Sequence, residues 1–234
     1  MRMRKKKNGA KRLALCEQML YKHEGEPMGE PYKVFSESPA PVLLEIGAGK
    51  GGFARQMARR YPETCYFAME RVSDCVVLAA EAVASEGGIE NLRFIIDNAD
   101  NLPNIFAKET IDGVFLNFSD PWPKKGYAKR RLTHRRYLSL YLSLMKEGAR
   151  LTFKTDNEGL FNFTLEEIEA MGLTPVKLTR DLHSSEFLSD NVMTEYERNF
   201  VLQGMKINMV QIEKPTGFSV PEVPASVIDT NENN

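Results

Sequence analysis

This 234-residue chain has very little of what disulfide frames, metal sites and membrane anchors are made from. Its three cysteines, Cys16, Cys65 and Cys75, show no paired spacing, and Cys65 stands in an apolar run. They read as reduced thiols, not as a disulfide frame. His23, His134 and His183 stand apart in the sequence and share no ligand spacing, which predicts no metal site and no histidine chemistry. No run approaches the roughly 18 apolar residues of a membrane span. The charged N-terminus has no apolar stretch behind it, so no signal peptide is expected. Internal repeats are lacking as well. These absences predict a soluble, cytoplasmic protein with no membrane partner.

A hydrophobic fraction of 42% is enough for one well-buried core, so a single domain is expected. The formal net charge is −1, which excludes a uniformly basic nucleic-acid coat. Acids are missing locally instead, from residues 1–12 and from residues 121–136. The first stretch carries Arg2, Arg4, Lys5, Lys6, Lys7, Lys11 and Arg12. It reads as a solvated arm that can still contact phosphates. A short amphipathic helix is predicted over 13–22 and a linker over 25–41, so that residues 1–40 form arm and linker. The folded domain is then expected over 41–213, followed by a disordered tail over 214–234.

The domain opens with VLLEIGAGKGG, residues 42–52. Val42–Ile46 is a short apolar strand of the kind covered on both faces. It runs into Gly47, Gly49, Gly51 and Gly52 and then an apolar-periodic helix. Strand, glycine turn and helix make a nucleotide-type unit, because glycine lets the backbone approach a ligand closely. The spacing fits both GxGxxG and the GxGxG of S-adenosylmethionine enzymes. Glu45 precedes the first glycine by two residues, where a carboxylate attracts an ammonium or sulfonium and repels a pyrophosphate. Glu70 ends the next apolar run and can accept from both ribose hydroxyls. Asn98, after a strand predicted at 92–96, is placed to reach an adenine edge.

A fourth strand, about 113–118, opens onto NFSDPWPKKGYAKRRLTHRR. Asp120 is followed by a rigid Pro-Trp-Pro step and by Lys124, Lys125, Lys129, Arg130, Arg131, Arg135 and Arg136. One acid facing only cations suggests a place where a polyanion is held and reacted upon. A helix is predicted over about 130–146, whose basic first turn opposes the helix dipole and therefore calls for phosphate. A fifth strand, about 150–154, leads to Asp156, a candidate helix cap or substrate contact. A sixth strand is expected near 173–179 and a last one near 206–212. Thr194 and Glu197 have capping-box spacing for a helix reaching about residue 203. The pattern predicts an α/β, doubly wound, Rossmann-like sheet with its ligands at the carboxyl strand ends.

The segments LEIGAGKG (44–51), NFSDPWPKK with KRRL (117–132), FKTDN (153–157) and TEYE (194–197) together resemble the bacterial tRNA (guanine-N7-)-methyltransferase family. The resemblance implies a class I methyltransferase fold, with a seven-stranded, mostly parallel sheet and an antiparallel last strand. It implies S-adenosylmethionine as cofactor and a guanine of the tRNA variable loop as target. Carried over, Glu45, Gly47, Gly49, Glu70, Asn98 and Asp120 line the cofactor, with Asp120 as the catalytic acid. Lys124, Asp156 and Thr194, Glu195, Tyr196 and Glu197 meet the tRNA. Residues 126–131, with Lys129, Arg130 and Arg131, form the RNA-contacting segment. A monomer or homodimer without an obligatory protein partner is expected. Two positions depart from the pattern: Asn98 is commonly Asp, and Gly126-Tyr127 replaces a usual Arg-His pair. A small-molecule methyltransferase, a silent RNA-binding subunit and a nicotinamide-dependent dehydrogenase each leave part of this constellation without a use.

Overall fold

The structure, a computed structural model, describes residues 8–222. Seven strands form one sheet: β1 (Val42–Ile46), β2 (Cys65–Met69), β3 (Leu92–Ile95), β4 (Ile111–Asn117), β5 (Met145–Thr155), β6 (Pro175–Thr179) and β7 (Asn208–Glu213). Their order is β3-β2-β1-β4-β5-β7-β6. Strands β1 to β5 run parallel, whereas β7 lies antiparallel between β5 and β6. The chain therefore winds outward in both directions from β1 and β4. Sheets of this kind bind ligands at the carboxyl ends of the strands on either side of that reversal.

Strand composition explains the layering. All five residues of β2 are buried, as expected for an apolar strand covered on both faces. On one face Val42, Leu44, Ile46, Val114 and Leu116 join α4 (Leu102–Ile105), α5 (Arg135–Leu144) and α6 (Glu158–Ala170). On the other, Tyr66 and Ala68 pack with α2 (Gly52–Arg60) and α3 (Ser73–Ser85). Each fully buried large side chain, such as Phe67 or Leu44, contributes about 1.5–3 kcal/mol.

Outside the sheet the structure corrects several expectations. Residues 13–22 do not form one helix: α1 covers Gly9–Ala14 and a 3-10 turn covers Glu17–Met19. Leu20 then bridges Phe94 of edge strand β3, and Tyr21 N–H donates to the Phe94 carbonyl at 2.8 Å. Pairing with an open sheet edge wins over helix propagation there. Residues 25–41, expected as a linker, lie on the core: Met28 bridges Phe106, and Phe35 meets Phe67 edge-on at 5.0 Å. Lys214 is buried, with its ammonium on the Met145 carbonyl at 2.8 Å, and Phe218 and Val220 pack against the core. Residues 214–222 are thus part of the folded body. Residues 1–7 and 223–234, which hold most of the basic arm and the rest of the expected tail, lie outside the described residues.

Candidate active site

The glycine turn is closed by the neighbouring strand. The Gly47 and Ala48 N–H groups donate to the Met69 carbonyl at 2.9 and 3.0 Å, and the Gly49 N–H donates to Glu70 Oε2 at 3.0 Å. Glu70 Oε1 accepts from the Val72 N–H at 2.8 Å, so both carboxylate oxygens are held in place and keep lone pairs for a diol. Gly47 has φ 82° and a side chain there would meet only Leu132, from the connection after β4, at 3.7 Å. Gly51 has a different task. With φ 69°, a Cβ there would stand 2.9 Å from Phe94 and 3.0 Å from Ala79, so the residue packs α2 closely onto its neighbours.

Glu45 lies on the α2 side of β1 and is only 2% exposed. Its Oε1 accepts from Asn117 Nδ2 at 3.0 Å, while its Oε2 has no partner among the described residues. Asn117 Oδ1 and Ser119 Oγ, on the adjoining end of β4, are buried and unpartnered too. Burial pushes the Glu45 carboxyl up to about 7, against the Asn117 hydrogen bond and the Lys154 charge, which favour its ionised form. An isolated buried carboxylate is costly. A ligand that brings an ammonium would relieve that cost. The donor set therefore fits a cofactor carrying an amino acid, a ribose and a base: Glu45 with Asn117, then Glu70, then Asn98. Asn98 is exposed, and its Oδ1 already accepts from the Asp100 N–H at 2.7 Å, capping a short turn.

Asp120 sits in a strained loop. Phe118 and Trp122, on either side of it, have φ 51° and 40°, which is sparsely populated for large side chains. Two anchors hold the strain. The Phe118 ring packs on Phe200, 5.8 Å between centroids, and Arg131 donates to the Pro121 and Trp122 carbonyls, both at 3.0 Å. The Asp120 side chain is 70% exposed, with Arg71 at 4.0 Å. Arg71 directly follows Glu70, so the acid stands over the edge that carries the expected ribose contact.

The cations around it divide into two groups. Arg131 is spent on loop carbonyls and lies 4.3 Å over the Phe163 ring. The helix expected from residue 130 begins only at Arg135, because His134 is extended and its Nδ1 caps the Arg136 N–H. The first-turn cations are paired internally: Arg135 forks onto Glu167 at 2.8 and 2.9 Å, and Arg136 reaches Asp100 at 2.9 Å. They need no phosphate to justify them, which corrects the sequence argument. Lys124, Lys125 and Arg130 remain exposed. The Arg130 guanidinium lies 5.2 Å from the Trp122 ring centre and 4.8 Å from that of Tyr127.

At the end of β5, Asn157 and not Asp156 caps α6, through Oδ1 and the Leu160 N–H at 2.8 Å. Asp156 has no partner among the described residues. The capping box at α7 (Glu195–Leu202) is complete, with the Glu197 N–H on Thr194 Oγ1 at 2.9 Å. Glu197 is fully buried and accepts from Lys154 at 2.7 Å and Asn191 at 2.6 Å, with His183 at 2.9 Å. Thr194 and Glu197, expected at the RNA, thus point inward; Glu195 and Tyr196 are the exposed pair. Sequence reasoning missed Asn117, Ser119, Arg71 and Lys154. The lysine inside the apolar FKT run was the available signal for the last.

The chain matches, over residues 39–210, the family described as "Putative methyltransferase". It is 37% identical over 215 residues to the tRNA (guanine-N(7)-)-methyltransferase of Geobacillus sp. (strain WCH70), covering 92% of this chain and 96% of that protein. The chain belongs to this methyltransferase family. Its fold is that of class I methyltransferases, shared with the solved 16S rRNA methyltransferase KamB at a TM-score of 0.59 and 14% identity, covering 84% of this chain and 99% of that one. An antibiotic-related methyltransferase superposes with a TM-score of 0.55 at 18% identity, over 74% of this chain and 86% of that one. Among the described residues no helix is long and apolar enough to cross a membrane, and no group of three or more His, Cys, Asp or Glu could hold a metal ion.

Proposed function

We propose that the protein transfers a methyl group from S-adenosylmethionine to N7 of a guanine in the tRNA variable loop. Asp120 carries the reading: an exposed acid, fixed by a strained loop, beside the residue that follows Glu70. When bound, S-adenosylmethionine supplies an electrophilic methyl on a positively charged sulfur. Glu45 and Asn117 hold its ammonium, Glu70 its ribose hydroxyls and Asn98 its adenine edge. The N7 lone pair lies in the plane of the purine and is free at neutral pH, so the reaction needs no general base. Positioning of the two reactants dominates the barrier. Methyl transfer from the sulfonium to N7 would build positive charge on the purine. A carboxylate beside the purine is favoured most in that transition state, and Asp120 supplies it.

Lys124, Lys125 and Arg130 bind phosphates, with Lys129 in the same segment, while Trp122 and Tyr127 offer stacking faces. Arg131 acts indirectly, by fixing the Asp120 loop. Asp156, Glu195 and Tyr196 contact the tRNA as well. The protein works in the cytoplasm as a monomer or homodimer. A small-molecule methyltransferase would share the cofactor side but leave the exposed cations and aromatics without a task. Methyl-labelled S-adenosylmethionine and unmodified tRNA, followed by nucleoside analysis, test the reading. Label in 7-methylguanosine is expected; label on another atom, or none, would overturn it.

A further inference from the structure

Polar residues at the ends of β1, β4 and β5 lie on neighbouring strands on the α2 face. Glu45 is joined to Asn117, and Asn117 pairs in register with Lys154. Lys154 is 3% exposed, and its ammonium donates to Asn191 Oδ1 and the Val192 carbonyl at 2.9 Å and to Glu197 Oε2 at 2.7 Å. All three acceptors lie within residues 191–197, which run into the first turn of α7 and present Glu195 and Tyr196. One buried cation thus stands between an acid on the cofactor side and an acid on the tRNA side. Burial lowers its affinity for the proton, while the Glu197 and Glu45 charges both favour its charged form.

We propose that Lys154 is a positioning residue that couples cofactor binding to tRNA binding. This rests on the assignment of the two ligands made above. Glu45 has an unpartnered oxygen, and its charge acts on the same ammonium that Glu197 holds by a hydrogen bond. A ligand ammonium beside Glu45 takes over neutralisation of that carboxylate. Lys154, whose three N–H donors already go to Glu197, Asn191 and Val192, then loses the competing pull of Glu45, and the 191–197 segment is held more firmly in the arrangement that meets tRNA. The coupling is reciprocal, because linkage requires each ligand to change the affinity of the other by the same factor.

The test is the dissociation constant of unmodified tRNA without and with saturating S-adenosylhomocysteine, which keeps the ammonium and cannot transfer a methyl. Wild-type protein should bind tRNA about tenfold more tightly with it, within the usual range of coupling. In Lys154→Met that ratio should fall to about 1, with both ligands still bound separately. Removing one partner of a buried pair can unfold a protein, so Asn191→Ala, at a position that holds neither ligand, is the second variant. It removes one of the three acceptors that tie Lys154 to the 191–197 segment and leaves the Lys154–Glu197 pair in place. There the ratio should fall toward about 1 with both ligands still bound separately. A wild-type ratio near 1, or a ratio unchanged in Asn191→Ala, overturns the proposal. Protein that binds neither ligand would instead overturn the functional assignment itself, so the two failures are distinguishable.

Discussion

Glu45 and Asp120 stand at the ends of adjacent strands and are treated in opposite ways. Glu45 is 2% exposed, half satisfied and pushed toward its neutral form. Asp120 is 70% exposed and held by a backbone with two left-handed non-glycine residues. The first acid is desolvated by the protein before any ligand arrives. The second waits for the substrate to desolvate it. The contrast fits a small cofactor that enters a preformed cradle and a large RNA that covers the surface around the reacting base.

The largest effect should come from Asp120. Asp120→Ala is expected to lower single-turnover methyl transfer about 100- to 1,000-fold, the scale of losing one preorganised electrostatic contact. Its tRNA affinity, measured by filter binding, should stay within about threefold of wild type. An equal loss in both would make Asp120 a binding group and erase the contrast. Arg131→Ala should come next, with transfer down about tenfold as the two hydrogen bonds that hold the loop are lost. The salt dependence of tRNA binding should not change in that variant.

Glu45 sharpens the other half of the comparison through pH. Its carboxyl is raised from 4.5 to about 7 in the folded protein. The folded state therefore binds more protons than the unfolded state across that window, and this group's contribution to stability falls as pH rises through it. Ligand binding has the opposite sign, because an ammonium prefers the ionised acid. Affinity for S-adenosylhomocysteine, read by calorimetry, should rise between pH 6 and pH 8. In Glu45→Gln it should be flat with pH and weaker at pH 8, and the ligand-free variant should melt above wild type at pH 8. The smallest effect belongs to Arg130→Ala, which should weaken tRNA binding a few-fold and reduce its salt slope by about 0.7–0.9.

The strands, the glycine turn and the acids at the strand ends were legible because each depends on a local pattern. An apolar run such as Cys65–Met69 announces a buried strand, and Glu45 and Glu70 follow from their places in those runs. The cations were not legible, because whether a charge is free depends on partners far along the chain. Arg135 is separated from Glu167 by 32 residues and Lys154 from Glu197 by 43. The same limit hid the inward turn of Glu197, although its capping box was readable from spacing alone. Leu20 and Phe35 show the converse: a segment rich in breakers is still packed when a sheet edge and an apolar face lie open beside it.

The division of labour between the two acids can be measured directly by crossing Glu45→Gln with Asp120→Asn. Cofactor affinity and the single-turnover rate, at saturating cofactor and tRNA, are read for both single variants and the double. Glu45→Gln should change only the affinity, Asp120→Asn only the rate, and the double variant should show the two losses unaltered. If both substitutions depress the same quantity, the two carboxylates serve one ligand and the account is contradicted.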